Sequence, residues 1–425
     1  MITINKIWKE EDEKYAYLKS SINIPNSVID MWLKSLEHIQ PQIVKNRIPL
    51  PLDKDGAFVI WYKVQKEYSY GLCTERADAI IVAILYFAMV AGVDIESKIP
   101  VTTQLLYQLN HQIIPVYCNE HNRKNTIKII AENKDEVLKL DKFVGTGVSC
   151  GVDSFHAILS NLSTSIKDNR LTHLAVFNTG SFNFFGYENI KSLDSWRQET
   201  EKEFKYHEEL GRIVATNLGL SFLSVDTNIP DLYQGCFLLS HTLRNNSCIL
   251  ALQKIWSSYY YASTGEGPLF DAKLNKDSGL ADLLLLPNIS LPNLHFYSVG
   301  FAEYRTQKLE IIVDNSVVKK HLNVCSWGHN NCGRCAKCIR TLIALDLMNK
   351  LEDYRNTFDD IDYYKKRRIK FLTNVRESSK NDVFFQDLNN YRKCIGLEYS
   401  LLENLYHYTY PLRLIRRFIF RVFKR

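Results

Sequence analysis

Two short stretches carry residue types that can do chemistry. The first is a cysteine cluster: Cys325, six intervening residues, then Cys332-Gly333-Arg334-Cys335-Ala336-Lys337-Cys338. Four thiolates can close a tetrahedral Zn²⁺ site, and a closed four-ligand site is structural rather than catalytic. Gly333 lets the ligand loop turn tightly, and Arg334 and Lys337 can offset the charge of a zinc tetrathiolate. A redox pair or an iron–sulfur cluster is the alternative for such cysteines. His329 lies inside the loop, where it can replace one thiolate or be a plain polar loop residue.

The second stretch runs from Phe143 through Gly145, Gly147 and Val148 into Ser149-Cys150-Gly151-Val152-Asp153-Ser154. An apolar strand enters a loop of small residues, and a helix follows at once. Small residues let backbone approach a ligand closely and take unusual φ/ψ values. Successive N–H groups in such a turn form a nest for oxyanions, and the helix N-terminus adds donors and a positive dipole end. Ser149 and Ser154 can donate hydroxyl hydrogen bonds, with Ser154 also a candidate N-cap. Asp153 would repel bare phosphate, so it suggests a bridging Mg²⁺. The segment is not a Walker A loop, because no Lys follows it.

Ser149-Cys150-Gly151-Val152-Asp153-Ser154 resembles the Ser-Gly-Gly-x-Asp-Ser signature of the PP-loop ATP pyrophosphatase superfamily. Cys150 stands where that family usually has its second Gly, so a left-handed conformation there would be strained. With the downstream cysteines, the pattern resembles the zinc-containing 7-cyano-7-deazaguanine synthase branch over roughly residues 142–345. That resemblance implies ATP, Mg²⁺ and Zn²⁺ as cofactors and an AMP- and pyrophosphate-forming ligase. A carboxylate or carbonyl substrate would be adenylated, and a nitrogen nucleophile such as ammonia would displace AMP. It implies Ser149, Asp153 and Ser154 as catalytic residues. Nucleotide contacts would come from Gly147 through Ser154, from Phe177 and Asn178, and from Gly265 in Thr264-Gly265-Glu266. Arg305 and Lys308 can neutralise phosphate or be solvated helix charges, and Asp226 can hold metal or cap the next segment. The long leader points to a substrate other than the usual deazaguanine precursor: another carboxylate-bearing metabolite, sugar or macromolecule. A tRNA-modifying enzyme of the same superfamily and a non-catalytic nucleotide-binding module are the alternatives.

The elements that must position these groups follow from hydrophobic patterning. Strands at 143–148, 174–177, 221–225 and 259–262 alternate with helices at 154–161, 198–218 and 237–256. That alternation predicts an α/β fold, a parallel sheet with helices on both faces of the PP-loop/HUP-like kind. Ligands bind such sheets at the carboxyl ends of the strands. Residues 1–140 predict an accessory α+β domain, with strands at 57–64 and 125–132 and a buried helix from Asp78 to Val93. Residues 141–345 form the expected nucleotide domain, and 346–425 a helical extension. Within that extension, Lys365 to Arg368 read as a solvated helix face.

Composition bounds the function. The chain has 425 residues, 46% of them hydrophobic, which excludes global disorder. Six of its basic residues lie in 411–425, with no acid; without them, cations and acids balance at 47 each. The body is therefore not a general nucleic-acid binder. The tail, PLRLIRRFIFRVFKR, reads as a basic amphipathic helix suited to an anionic membrane surface. No secretion signal stands at the N-terminus, and the longest apolar run, 79–93, is short for a bilayer span. A cytoplasmic protein is expected, with peripheral contact at the inner face of the membrane through the tail.

Overall fold

The computed structural model describes residues 1–37, 40–45, 47–120, 126–138, 141–163, 167–182, 192–263, 277–326 and 328–409. The tail 411–425 and the segment Thr264-Gly265-Glu266 lie outside the described residues.

Ten strands among the described residues join in one sheet. In chain order they are β1 (Ile2–Glu11), β2 (Tyr15–Asn23), β3 (Phe58–Gln65), β4 (Ile95–Thr102) and β5 (Ile129–Lys134), then β6 (Phe143–Gly147), β7 (His173–Asn178), β8 (Ser221–Thr227), β9 (Trp256–Ala262) and β10 (His295–Val299). Their spatial order is β10-β9-β6-β7-β8-β3-β2-β1-β4-β5. The run from β10 to β8 is parallel throughout, β8-β3-β2-β1 pair antiparallel, and β1-β4-β5 return to parallel. The chain is thus α/β with a large, mostly parallel central sheet and many helices. The stretch expected as an accessory domain, 1–140, supplies β1–β5 of this same sheet.

Side-chain patterning explains the two kinds of strand. β7 is buried at five of its six positions, and β9 is also mostly buried. Such near-continuous burial belongs to parallel strands covered on both faces. On one face, Val176 and Phe222 meet the helix Leu193–Asn217 at Gly211, where an added Cβ would lie 2.8 Å from Phe222. On the other, Ala175, Leu223 and Val225 join a large core that includes the helices Asp78–Ala91 and Phe237–Ala251. β3 instead alternates: Phe58, Ile60, Tyr62 and Val64 enter the core, and Val59, Trp61, Lys63 and Gln65 are half-buried. A strand with one covered face should read this way.

The helix Asp78–Ala91 is buried at every position. Its buried Asp78 accepts hydrogen bonds from the Thr102 amide (2.9 Å) and hydroxyl (2.6 Å). Among the described residues, no helix is long and apolar enough to cross a membrane.

The described chain divides into two compact units. One holds 1–149, 157–263 and 277–301, and with them the whole sheet; the other holds 150–156 and 302–409. The second unit is helical, with helices Arg305–Ile312, Ala336–Leu347, Arg368–Ser378, Val383–Cys394 and Leu401–Tyr408 as its main elements. A buried ion pair, Arg392 Nη1 to Glu403 Oε1 at 2.6 Å, ties its last two helices together. The run expected as a solvated face is partly engaged: Arg368 donates to Asp346 at 2.7 Å, and Arg367 lies 4.0 Å over the Tyr363 ring.

Candidate functional site

Within the second unit, the cysteine cluster has the geometry of a metal centre. The four Sγ atoms of Cys325, Cys332, Cys335 and Cys338 all lie within 4.8 Å of one another. Cys325–Cys335 and Cys332–Cys338 are separated by 4.0 and 3.9 Å. Sulfurs placed ~2.3 Å from a central Zn²⁺ would form a tetrahedron with edges of about 3.8 Å, so this set can hold such an ion with small adjustment. Backbone amides are aimed at the sulfurs: Arg334 N and Cys335 N donate to Cys332 Sγ at 3.4 and 3.3 Å, and Cys338 N donates to Cys335 Sγ at 3.4 Å. Burial opposes ionisation of Cys335, but the amides of Ser326 and Cys338 outweigh it and bring the thiol down to about 7. Cys332 and Cys338 move the other way, raised first by burial, so it is the Cys335 thiolate that the amides favour.

Gly333 is required twice over. Its φ is +67°, and a Cβ would stand 2.5 Å from the Asp360 carbonyl oxygen. Arg334, expected to offset thiolate charge, instead donates from Nε to Asp360 at 2.8 Å. His329 is exposed and lies outside the ligand group; its carbonyl accepts from Asn323 Nδ2 at 2.8 Å.

The same unit contains most of the small-residue loop. Cys150 adopts φ +59°, the left-handed conformation that carries strain for a residue with a Cβ, and is 1% exposed. A residue with a Cβ pays about 1–2 kcal/mol for that conformation. Asn323 N holds the Cys150 carbonyl at 2.8 Å. Asn323 also accepts the Cys325 amide at 3.3 Å, so one residue joins the loop to the first cysteine of the cluster. Burial pushes the Cys150 thiol up to about 12, so it is no nucleophile at neutral pH.

The helix after the loop spans Val152–Leu162. Ser154 is therefore its third residue rather than the N-cap expected from sequence. Asp153 meets two cations, Arg305 Nη1 at 2.8 Å and Lys308 Nζ at 2.9 Å. Burial alone would raise its carboxyl, but Arg305 and Lys308 hold it below the usual carboxylate range. Both carboxylate oxygens are engaged by positive groups, so Asp153 does not fit the role of a bridging Mg²⁺ ligand. Nor are its partners solvated helix charges: Lys308 is 1% exposed. Asp387 fixes the start of their helix by accepting the Thr306 amide (3.0 Å) and hydroxyl (2.5 Å).

Two further cations approach this group. Burial and then the neighbouring Arg305 and Arg340 lower the Lys337 ammonium, and Arg340 stacks over Phe384 at 3.3 Å. Arg305, Lys308, Lys337 and Arg340 thus share a neighbourhood whose carboxylates include Asp153, Asp387 and, through its contact with His156 at 3.0 Å, Glu303. Sequence reasoning missed Arg340, because a single Arg in an amphipathic helix carries no motif.

In the first unit, several expected residues share the carboxyl edge of the parallel strands. Gly147 ends β6, and a Cβ there would meet nothing closer than Tyr259 Oη at 3.8 Å. Val148 N donates to Ala175 O at 2.9 Å, and Ser149 is exposed. Phe177 and Asn178 end β7 two strands from β3. Asn178 Nδ2 donates to Asp226 Oδ1 at 2.8 Å, and Asp226 Oδ2 pairs with Lys63 Nζ at 2.8 Å. Asp226 is therefore neither a cap nor a lone metal ligand. Asn178 Oδ1 and Tyr259 Oη are buried along this region with no partner. Gly265 lies outside the described residues. Compared with protein-family models, with curated proteins and with solved structures, the chain matches none.

Proposed function

We propose that this chain is an adenylating enzyme of the PP-loop type, which cleaves ATP between the α and β phosphates to activate a carboxylate or carbonyl for attack by nitrogen. The observation that carries the reading is the left-handed Cys150. Strained non-glycine residues persist where surrounding structure over-determines them, and such places cluster at ligand sites. A left-handed residue directly before a helix N-terminus turns successive amides toward one point, which is the geometry of an anion nest. Ser149 through Ser154 then fit the cradle for the leaving pyrophosphate.

The remaining chemistry is electrostatic. A substrate oxygen attacks the α-phosphorus, the bond to the β-phosphate oxygen breaks, and pyrophosphate departs with its charge. Donors already aimed at that charge stabilise the transition state more than the ground state. Arg305 and Lys308 suit this role because Asp153 fixes their positions while leaving the trio one positive charge in excess. Asp153 is in this reading a positioning residue rather than a metal ligand. Any Mg²⁺ would arrive with the nucleotide, and the metal at the four cysteines would stiffen the loop from behind through Asn323.

The engaged Asp153 and the non-glycine Cys150 also favour a second reading, a module that binds nucleotide without cleaving it. Product analysis separates the two. Incubation with ATP and Mg²⁺, together with small molecules extracted from the native host, should yield AMP and pyrophosphate in equal amounts. Formation of ADP and phosphate, or binding without turnover under every condition, would defeat the adenylating reading.

A further inference from the structure

A second site lies in the first unit, where the antiparallel strands join the parallel ones. The helix Leu193–Asn217 packs on β7 and β8. β3 lies beyond β8, and its half-buried side chains on that face leave a cleft of about 220 Å³. Lys63 and Gln65 of β3, Ser224 and Asp226 of β8, and Glu201, Lys205 and Glu208 of the helix line it. Lys63 and Asp226 are direct cross-strand partners.

The polar lining falls into three bonded groups, set beside Tyr15, Val64 and Phe204. Gln65 Nε2 donates to Ser224 Oγ at 2.6 Å, and Ser224 Oγ donates to Glu208 Oε1 at 2.6 Å. Lys205 pairs with Glu201 at 2.7 Å and Lys63 with Asp226 at 2.8 Å. Beside that last pair, Asn178 holds a buried Oδ1 with no partner. Three carboxylates face two ammonium groups. Glu208 is the carboxylate in excess; its nearest cation, Arg212, is 3.8 Å away and not in the lining. A phosphate or other polyanion would meet net negative charge. A plain hydrocarbon would strand every one of these groups. Positive and negative groups instead alternate over a few ångströms, which suits a ligand carrying both signs at similar spacing.

We infer that this cleft binds a free α-amino acid, its ammonium on Glu208 and its carboxylate on Lys63 and Lys205. Charge-assisted hydrogen bonds supply the orientation, while Gln65 and Ser224, bonded to each other and to Glu208, hold that carboxylate in place. Asp226 lies at the carboxyl end of β8 and Gly147 at that of β6, two strands apart on one sheet edge. Resting on the adenylating reading, an amino acid bound here is a substrate of the class that supplies the attacking nitrogen.

The test is calorimetric titration of the full chain with each of the twenty standard amino acids, with putrescine and glucose as probes of a plain cation and a neutral polyol. At least one amino acid should bind with Kd below about 1 mM. Glu208→Gln and Lys63→Met should each weaken it by about tenfold or more, as expected for loss of a charge-assisted contact. Lys205→Met should act in the same direction, and with a side chain 67% exposed its removal leaves folding intact. No binding by any amino acid overturns the inference, as does equal or tighter binding of putrescine or glucose. AMP and pyrophosphate formation without amino-acid binding sinks this inference alone. Amino-acid binding without ATP cleavage sinks the adenylating reading and leaves the cleft standing.

Discussion

Gly333 and Cys150 occupy the same left-handed region, at φ +67° and +59°, in two loops of one compact unit. At Gly333 the reason is steric on both counts. The backbone needs the conformation, and the Asp360 carbonyl leaves no room for a Cβ. At Cys150 the conformation is kept although a Cβ is present and strained. The cysteine loop has therefore taken the residue that removes the strain, while the other loop retains it. A loop whose only task was to join a strand to a helix would gain by replacing Cys150 with glycine.

Several variants sharpen that contrast, and the largest effect belongs to the cysteine loop. Cys338→Ser should reduce metal content from one zinc per chain to none and lower Tm steeply, since structural zinc contributes on the order of 10 kcal/mol of folding free energy in small domains. Elemental analysis with a thermal melt checks this. Asp153→Asn should come next. It leaves Lys308 buried without its carboxylate, a loss of about 3–5 kcal/mol for a broken buried pair, measurable by urea unfolding.

The same pair sets a pH dependence. The folded Asp153 carboxyl titrates below its unfolded value of about 3.9. Its contribution is thus complete above that value and is lost as pH falls through the depressed one. In Asp153→Asn the acid-side slope of stability should flatten; an unchanged slope means that other carboxylates dominate it.

Gly333→Ala should cost about 1–3 kcal/mol through backbone strain and the clash with Asp360, and it should weaken zinc retention against a chelator. The smallest effect is also the most informative. Cys150→Gly should stabilise the chain by about 1 kcal/mol as the left-handed strain is relieved, while Cys150→Val should destabilise it. A destabilised Cys150→Gly would mean that packing of the thiol outweighs the strain and would end the contrast with Gly333.

Much of this was readable from residue pattern. β6 through β9 announced themselves because parallel strands covered on both faces are continuous apolar runs. The helix Asp78–Ala91 did so for the same reason. β1 did not, because its alternation is broken by a register shift between Ile4 and Lys6. β4 contains Pro100, which argues against a strand, and β10 is buried at one of its five positions, so it carries no continuous apolar run. The strand expected at 125–132 is displaced to Ile129–Lys134.

The cysteine ligands were legible because their chemistry is local in sequence. The partners of Asp153 were visible only as isolated charges, since Arg305 and Lys308 lie more than 150 residues away. Nothing in the sequence of β3 marks Lys63 as the partner of Asp226. That pairing arises from strand order, which local periodicity does not encode.

The central claim is that the turn around Cys150 grips the phosphate tail of a nucleotide through main-chain amides. Calorimetric titration with the non-cleavable analogue α,β-methylene-ATP, alongside AMP, addresses it directly. The account predicts that the triphosphate binds at least about a hundredfold tighter than AMP, as several charge-assisted hydrogen bonds would give, and that Cys150→Gly preserves this difference. Equal affinity for the two nucleotides, or binding of neither, would contradict it.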